Sequence, residues 1–315
     1  RLLIPIIFAF IFSSCSDFSG NEDEVEASLK PGPVTKTTTT TRTYYDLNGI
    51  TYGNNTFVAV GEKGTVRTSS DKGASWDNVT SGTTRELYEI AYGDSTFVTV
   101  GQSGSNHYSS DNGNTWSSGT TSETSNYYGV VNGNNVFVAL GNDNVIKSTD
   151  NGTNWTTITT VNLNDVAFGD STFVGCGAEG AIYSSTDNGS SWTSRSSGVT
   201  ASTLDGITFG NNQFFSVGSS GELIKSTNNG ITWSTDLDST VSSHLYSIAF
   251  GNNTFVGVGY KTVIVSTDNG STFMEKENTI TFNDVTFGNG FFVAVGDNEI
   301  IYTSTDGDTW TKVYP

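Results

Sequence analysis

Positive charge is scarce in this chain: 14 Lys+Arg stand against 32 Asp+Glu in 315 residues, a formal net charge of −18. Phosphate contacts need clustered cations, so nucleic acid is excluded as a partner. Cysteine occurs twice, too rarely to staple a disulfide framework. Proline occurs four times, and charged residues are only 15% of the chain against the ~25% of an average domain. The surface must therefore be built largely from Ser, Thr and Asn. Ala, Leu, Glu and Lys are sparse, which argues against a helical protein. No apolar run is long enough to cross a bilayer as a permanent helix. What is plentiful points one way: 36 glycines and 12% aromatics suit short strands, tight turns and a packed core.

The two cysteines have unrelated settings. Cys15 follows LLIPIIFAFIFSS (Leu2 to Ser14), apolar and then small, which reads as the core of a secretory signal behind Arg1. The tetrad Phe12-Ser13-Ser14-Cys15 resembles a bacterial lipobox, with Phe12 in place of the usual Leu. That resemblance implies lipidation of Cys15, an exported protein, and a lipid anchor as the only membrane contact. Residues 1–14 are thus expected to be a signal peptide and 15–44 a tether. The tether carries the acidic cluster Glu22, Asp23, Glu24 and Glu26, then a Pro31-Gly32-Pro33 break and a Thr run. The stretch Val34 to Tyr44 could add a closing strand to the domain that follows.

From residue 45 to 315 the chain repeats. GNNTFVAVG begins at Gly53, and its variants begin at Gly93, Gly133, Gly169, Gly210, Gly251 and Gly288. Every copy keeps the Phe (Phe57 in the first) and the closing Gly (Gly61 in the first). A period near 40 residues with short strands predicts an all-β fold: one seven-bladed β-propeller of four-stranded antiparallel blades. In the first repeat the expected strands are Leu47–Tyr52, Phe57–Val60, Thr65–Ser69 and Trp76–Thr80, here named A to D.

A second motif sits between strands C and D. SSDKGASW runs from Ser69 to Trp76, and its counterparts carry Asp111, Asp150, Asp187, Asn228, Asp268 and Asp306 where the first has Asp71. The segment resembles the Asp-box or BNR repeat, S-x-D-x-G-x-[S/T]-W, of sialidases, xyloglucanases, sortilin-type receptors and photosystem II assembly factors. Four copies depart from it: Asn154 replaces Ser/Thr, Asn228 replaces Asp, Phe273 replaces Trp, and the last is one residue short. The motif has a structural logic. An Asp side chain accepts from N–H groups of its own turn, the Gly takes a positive φ, and the Trp anchors the hairpin. One carboxylate per turn is a poor metal site, so no metal is assigned there.

Strand A alternates a large and a mostly small residue, Ile50 beside Thr51 and Ile90 beside Ala91, as a sheet covered on both faces requires. Cys176 falls in the strand-B column of Val60 and Val100, the place of a buried small hydrophobe. The A–B and C–D turns are near-identical between repeats, whereas the D–A connections vary. Function is expected on that variable face. Its candidate ligand-binding residues are Tyr45, Tyr88, Tyr127, Tyr128, Tyr246, His244 and Arg85, aromatic and polar groups of the kind that engage sugar rings or a protein surface. Four residues before the motif Gly, Glu89, Asp165 and Asp284 could approach the central channel and hold a cation such as Ca2+. No other cofactor is implied.

The sialidase relatives bind a carboxylate with three converging arginines and use a Tyr/Glu nucleophile. After Cys15 this chain has only Arg42, Arg67, Arg85 and Arg195, so the resemblance transfers no such site. No catalytic residue is assigned. The reading is a non-catalytic, monomeric binding lipoprotein of a bacterial outer membrane or surface, engaging a glycan or a protein. A glycoside hydrolase using carboxylates of the variable face, and an assembly factor similar to those of photosystem II, are the alternatives.

Overall fold

A computed structural model describes residues 43–235, 238–239 and 241–315. The expected signal peptide, Cys15 and the expected tether as far as residue 42 lie outside the described residues. So does the proposed closing strand, except for Thr43 and Tyr44, which belong to no strand.

The chain forms a seven-bladed β-propeller of antiparallel four-stranded blades. Blade 1 is Leu47–Gly53, Thr56–Gly61, Thr65–Ser69 and Asp77–Thr80, paired in that order from the axis outward. The six later A strands are Leu87–Gly93, Tyr127–Gly133, Asp165–Gly169, Leu204–Gly210, Leu245–Gly251 and Phe282–Gly288. Each packs beside the next around the axis, and that of blade 7 packs beside that of blade 1. Blade 7 ends on its own fourth strand, Thr311–Tyr314. Blade 5 differs from the others. Its outer place is held by a bridge in which Lys225 and Ser234 exchange backbone hydrogen bonds of 3.0 and 2.8 Å. The following Asp238–Ser239 pairs in parallel with the outer strand of blade 6.

The local chemistry explains these elements. In every A–B hairpin both turn residues have positive φ, as at Asn54 and Asn55 (45° and 60°), Asp94 and Ser95, or Asn289 and Gly290. That is the primed turn matching strand twist, and Asn tolerates it better than most residues. At the C–D hairpin, Asp71 accepts from Ser75 N–H (2.9 Å), Ser75 O–H (2.6 Å) and Ser69 O–H (2.8 Å). The Trp76 indole donates to the Gly73 carbonyl at 3.0 Å. The variant turns keep this pattern. Asn228 accepts the Thr232 N–H, and Asn154 donates to Asp150. Even the shortened turn holds Asp306 against two backbone N–H groups. Phe273 has no indole to donate and instead packs edge-on against Phe215.

No blade owns a core. Period-two alternation sends Val58, Val60 and Val66 of blade 1 toward Leu87, Ile90 and Phe97 of blade 2, while Phe57 and Ala59 meet Val293, Val295 and Ile301 of blade 7. Seven such apolar clusters, one at each junction, make up the interior. Cys176 is fully buried in the cluster between blades 4 and 5, and that burial pushes its thiol pKa up.

The glycine that opens each repeat has a packing reason. A Cβ on Gly53 would lie 2.0 Å from the ring of Tyr92, because the last side chain of each A strand lies flat on the preceding blade's glycine. Six of these side chains are aromatic (Tyr52, Tyr92, Phe168, Phe209, Phe250 and Phe287), and each stacks on the strand-B Phe of its own blade at 4.5–4.8 Å or nearby. Blade 3 has Asn132 instead, and its Nδ2 is buried with no hydrogen-bond partner. Gly93 beneath it is half-buried, whereas the other six glycines of this column are buried. Asn132→Phe is expected to fill the notch and remove an unsatisfied donor, raising unfolding free energy by about 1–2 kcal/mol. Urea denaturation checks this, and an unchanged midpoint would refute it.

Candidate functional site

At the end of the axis that carries the D–A loops, the A strands open into a cavity of about 270 Å³. Two stacked rings of residues line it, one residue per blade in each. The outer ring stands five residues before the motif glycine: Asn48, Tyr88, Tyr128, Asn164, Asp205, Tyr246 and Asn283, all lining the cavity. The inner ring stands four before it, and each member with a side chain lines the cavity too: Glu89, Asp165, Ser247 and Asp284.

A β-bulge aims the outer ring. Leu47 pairs with Gly61 and Gly49 with Val60, so Asn48 is the extra residue and turns toward the axis. The same shift occurs at Tyr88, Tyr128, Asp205, Tyr246 and Asn283. Three of the outer residues staple blades together. Asn48, Asn164 and Asn283 donate to the carbonyls of Leu87, Leu204 and Leu47, each in the next blade, at 2.9–3.0 Å. The other four also line the cavity. Tyr88 and Tyr128 meet at 5.1 Å with their planes 44° apart, a wedge instead of a flat platform. Tyr246 stacks on His244 at 4.7 Å, and His244 Nε2 lies 2.7 Å from Asp205 Oδ2. The Asn164 amide also donates to Asp205, at 3.3 Å.

The inner ring solves a problem of the fold. The innermost strand of a blade is a sheet edge, with N–H groups facing the channel. Three carboxylates cover five of them. Asp284 accepts from Ile50 N–H across the blade 7–1 seam (2.7 Å), from its own Val285 N–H (2.8 Å) and from Ser247 O–H (2.6 Å). Asp165 accepts from Val166 (2.7 Å) and from Ile207 of blade 5 (2.9 Å), and Glu89 from Ile90 (2.7 Å). The small neighbours in this ring make room: a Cβ on Gly49 or Gly129 would press on Glu89 or Asp165.

Burial dominates the electrostatics. It pushes the Asp165 pKa up to about 7, with the charges of Asp284 and Asp205 adding and the two N–H bonds opposing. It pushes Asp284 up to about 6 against its three hydrogen bonds. Glu89 is raised well above the ordinary carboxylate range by burial and then by Asp284 and Asp165. Tyr88 rises to about 12 through burial and the neighbouring Glu86. No Lys or Arg lines the cavity.

The candidate residues named from the sequence therefore separate. Tyr88, Tyr128, Tyr246, Glu89, Asp165 and Asp284 meet at the mouth, with His244 joined through Asp205 and Tyr246. Tyr127 does not reach it: it is fully buried at the blade 2–3 junction, in the core column of Leu47 and Leu87, because adjacent residues face opposite ways. Tyr45 does not line the mouth, and its N–H reaches Glu299 at 3.3 Å. Arg85 lies in a separate cavity, bonded to the Ser103 carbonyl. The box carboxylates Asp71, Asp111, Asp150, Asp187, Asp268 and Asp306 are occupied by their own turns, which lower their pKa values, to about 2 for Asp187 and Asp268. Among the described residues no three His, Cys, Asp or Glu side chains converge as a metal site. Asp205, Ser247 and the three asparagines were missed in the sequence, although their fixed distance from the glycine marks them.

No curated protein matches the chain. Among solved structures, a YCF48 bound to a D1 peptide is similar at TM-score 0.66 and 14% identity, covering 83% of this chain and 92% of that one. YCF48 from Cyanidioschyzon merolae is similar at TM-score 0.67 and 16% identity, covering 82% and 95%. The WD40 propeller domain of Doa1 is similar at TM-score 0.65 and 13% identity, covering 83% and 93%. At such identities the likeness is one of fold. In sequence, residues 78–203, from the outer strand of blade 1 to the threshold of blade 5, match the DUF6242 beta propeller domain family.

Proposed function

We propose that this chain is a non-catalytic binding protein, held at a bacterial surface by a lipid on Cys15, and that its channel mouth takes a basic segment of a partner protein. The observation that carries this reading is the mouth itself. Glu89, Asp165, Asp205 and Asp284 line it with no cation among them, and Tyr88, Tyr128 and Tyr246 stand at its rim. A Lys or Arg side chain entering between those rings would gain charge pairing and cation–π contact. The peptide in the YCF48 complex supports a peptide-sized ligand on a propeller of this shape. The 44° wedge of Tyr88 and Tyr128 argues against a flat sugar-stacking platform. The carboxylates are turned onto backbone N–H groups, which argues against the glycosidase alternative.

Selection of a random peptide display library on the full chain tests the reading. Enriched peptides are expected to carry Lys or Arg, and Asp205→Asn with Tyr246→Ala is expected to weaken them about tenfold or more. Enrichment without basic residues, or binding of a neutral oligosaccharide at the same mouth, would overturn it. So would turnover of a fluorogenic glycoside. Metabolic labelling with a fatty-acid analogue, lost in Cys15→Ala, checks the anchor.

A further inference from the structure

A second cavity, of about 260 Å³, opens between blades 1 and 2 and shares no residue with the mouth. Its walls are Gly82, Thr83 and Arg85 of the D–A loop and Gly104, Ser105, His107, Ser118 and Gly119 of blade 2. Strand C is unusual here. Asn106 fills the column held in every other blade by an aliphatic residue: Val66, Val145, Ile182, Leu223, Val263 and Ile301. His107 stands in a mixed column with Arg67, Ile146, Tyr183, Ile224, Ile264 and Tyr302. Burying the Asn106 amide where every other blade buries an aliphatic side chain costs stability unless something compensates. Asn106 is 4% exposed, its Oδ1 has no hydrogen-bond partner, and it presses against the cavity wall at Gly119.

The floor is a relay of hydroxyls. His107 Nε2 lies 3.2 Å from Ser105 Oγ, and Nδ1 lies 3.3 Å from Ser118 Oγ. Burial and the nearby Arg85 charge both lower the His107 pKa. A neutral imidazole has one N–H and one lone pair, so one serine donates to the ring and the other accepts from it. The accepting serine keeps its own proton free for a ligand. Above this floor stands Arg85. Its backbone N–H is bonded to Thr83 Oγ1 (3.0 Å) and its Nη1 to Ser103 O (2.8 Å). No carboxylate lines the cavity.

We propose that this cavity is a second binding site, taking a small carboxylate-bearing group with Arg85 as its cation and the serine hydroxyls as its neutral donors. A single guanidinium matches one planar carboxylate in charge and shape, and leaves a dianion half neutralised. The source is either an acidic sugar or a simple carboxylate.

The chain has two histidines, so the imidazole resonances report on this cavity and on the mouth separately. Long-range 1H–15N spectra of the full chain, titrated with acetate, D-glucuronate or sulfate at constant ionic strength, are the test. Acetate and glucuronate are expected to shift His107 saturably and leave His244 in place. Arg85→Gln is expected to weaken the effect about tenfold or more, with unchanged His244 resonances reporting an intact fold. Tighter glucuronate assigns a sugar acid and equal affinities assign the carboxylate alone, both within the proposal. A linear shift, a saturable shift that survives Arg85→Gln, or sulfate binding as well as either carboxylate would overturn it.

Discussion

Arg67→Ala is expected to destabilise the protein by about 3–5 kcal/mol, the cost of removing one partner from a buried ion pair. Arg67 belongs to blade 1 and Glu299 to blade 7, 232 residues apart in sequence. Their side chains are 6% and 1% exposed, and Nη2 and Nε lie 2.7 and 3.2 Å from Oε2. Arg67 also binds Asn78 and the Val66 carbonyl, and lies 5.9 Å from the Tyr314 ring. The pair thus sits at the seam where first and last blades meet, beside the Asn283 and Asp284 bonds to blade 1. Arg67→Met combined with Glu299→Gln is expected to recover part of the loss, because no buried carboxylate then lacks its guanidinium. Urea unfolding of the two variants decides this. A loss below about 1 kcal/mol for Arg67→Ala would show that the seam does not depend on the pair.

The second large effect is a stability optimum on the acid side. The unfolded chain releases an Asp proton near 3.8, whereas the fold holds that of Asp165 to about 7 and that of Asp284 to about 6. Between these values the native state binds more protons than the unfolded one, so stability falls as pH rises from 4 to 7. For Asp165 alone the shift corresponds to at most about 4 kcal/mol. The box aspartates act in the opposite sense. Their folded pKa values lie below 3.8, so their contribution is present above that value and lost as pH falls toward 2. Maximum stability is therefore expected near pH 4–5, by thermal melts across pH 2.5–8. Asp165→Asn is expected to flatten the alkaline limb. A melting temperature that rose steadily from pH 4 to 7 in the native sequence would contradict this account.

The fold was legible because seven copies of one pattern leave few alternatives, and residues such as Phe57 and Gly61 recur at fixed positions. The mouth was legible only in part. Glu89, Asp165 and Asp284 stood out because they are charged residues in a strand column. In the outer ring Tyr88, Tyr128 and Tyr246 stood out as aromatics beside the variable loops, whereas Asn48, Asn164, Asp205 and Asn283 did not, because a bulge invisible to simple alternation turns most of that column inward. Alternation separates the neighbours Tyr127 and Tyr128, one entering the core and the other the rim, but two identical side chains do not show which is which. The Arg67–Glu299 pair was illegible because it exists only once the ring has closed. His107 stood in a strand with no apparent partner in sequence, and Ser105 and Ser118 meet it only through strand pairing.

The flat seat between a glycine and its neighbour's ring has an evolutionary corollary. Because six of the seven joints use the same socket and plug, a module meets a familiar partner at this contact wherever it stands in the ring. Gain or loss of a whole unit would then be limited by wedge angle, not by recognition. The one mismatched joint, Gly93 with Asn132, is where such a lineage would have traded uniformity for something particular to this molecule.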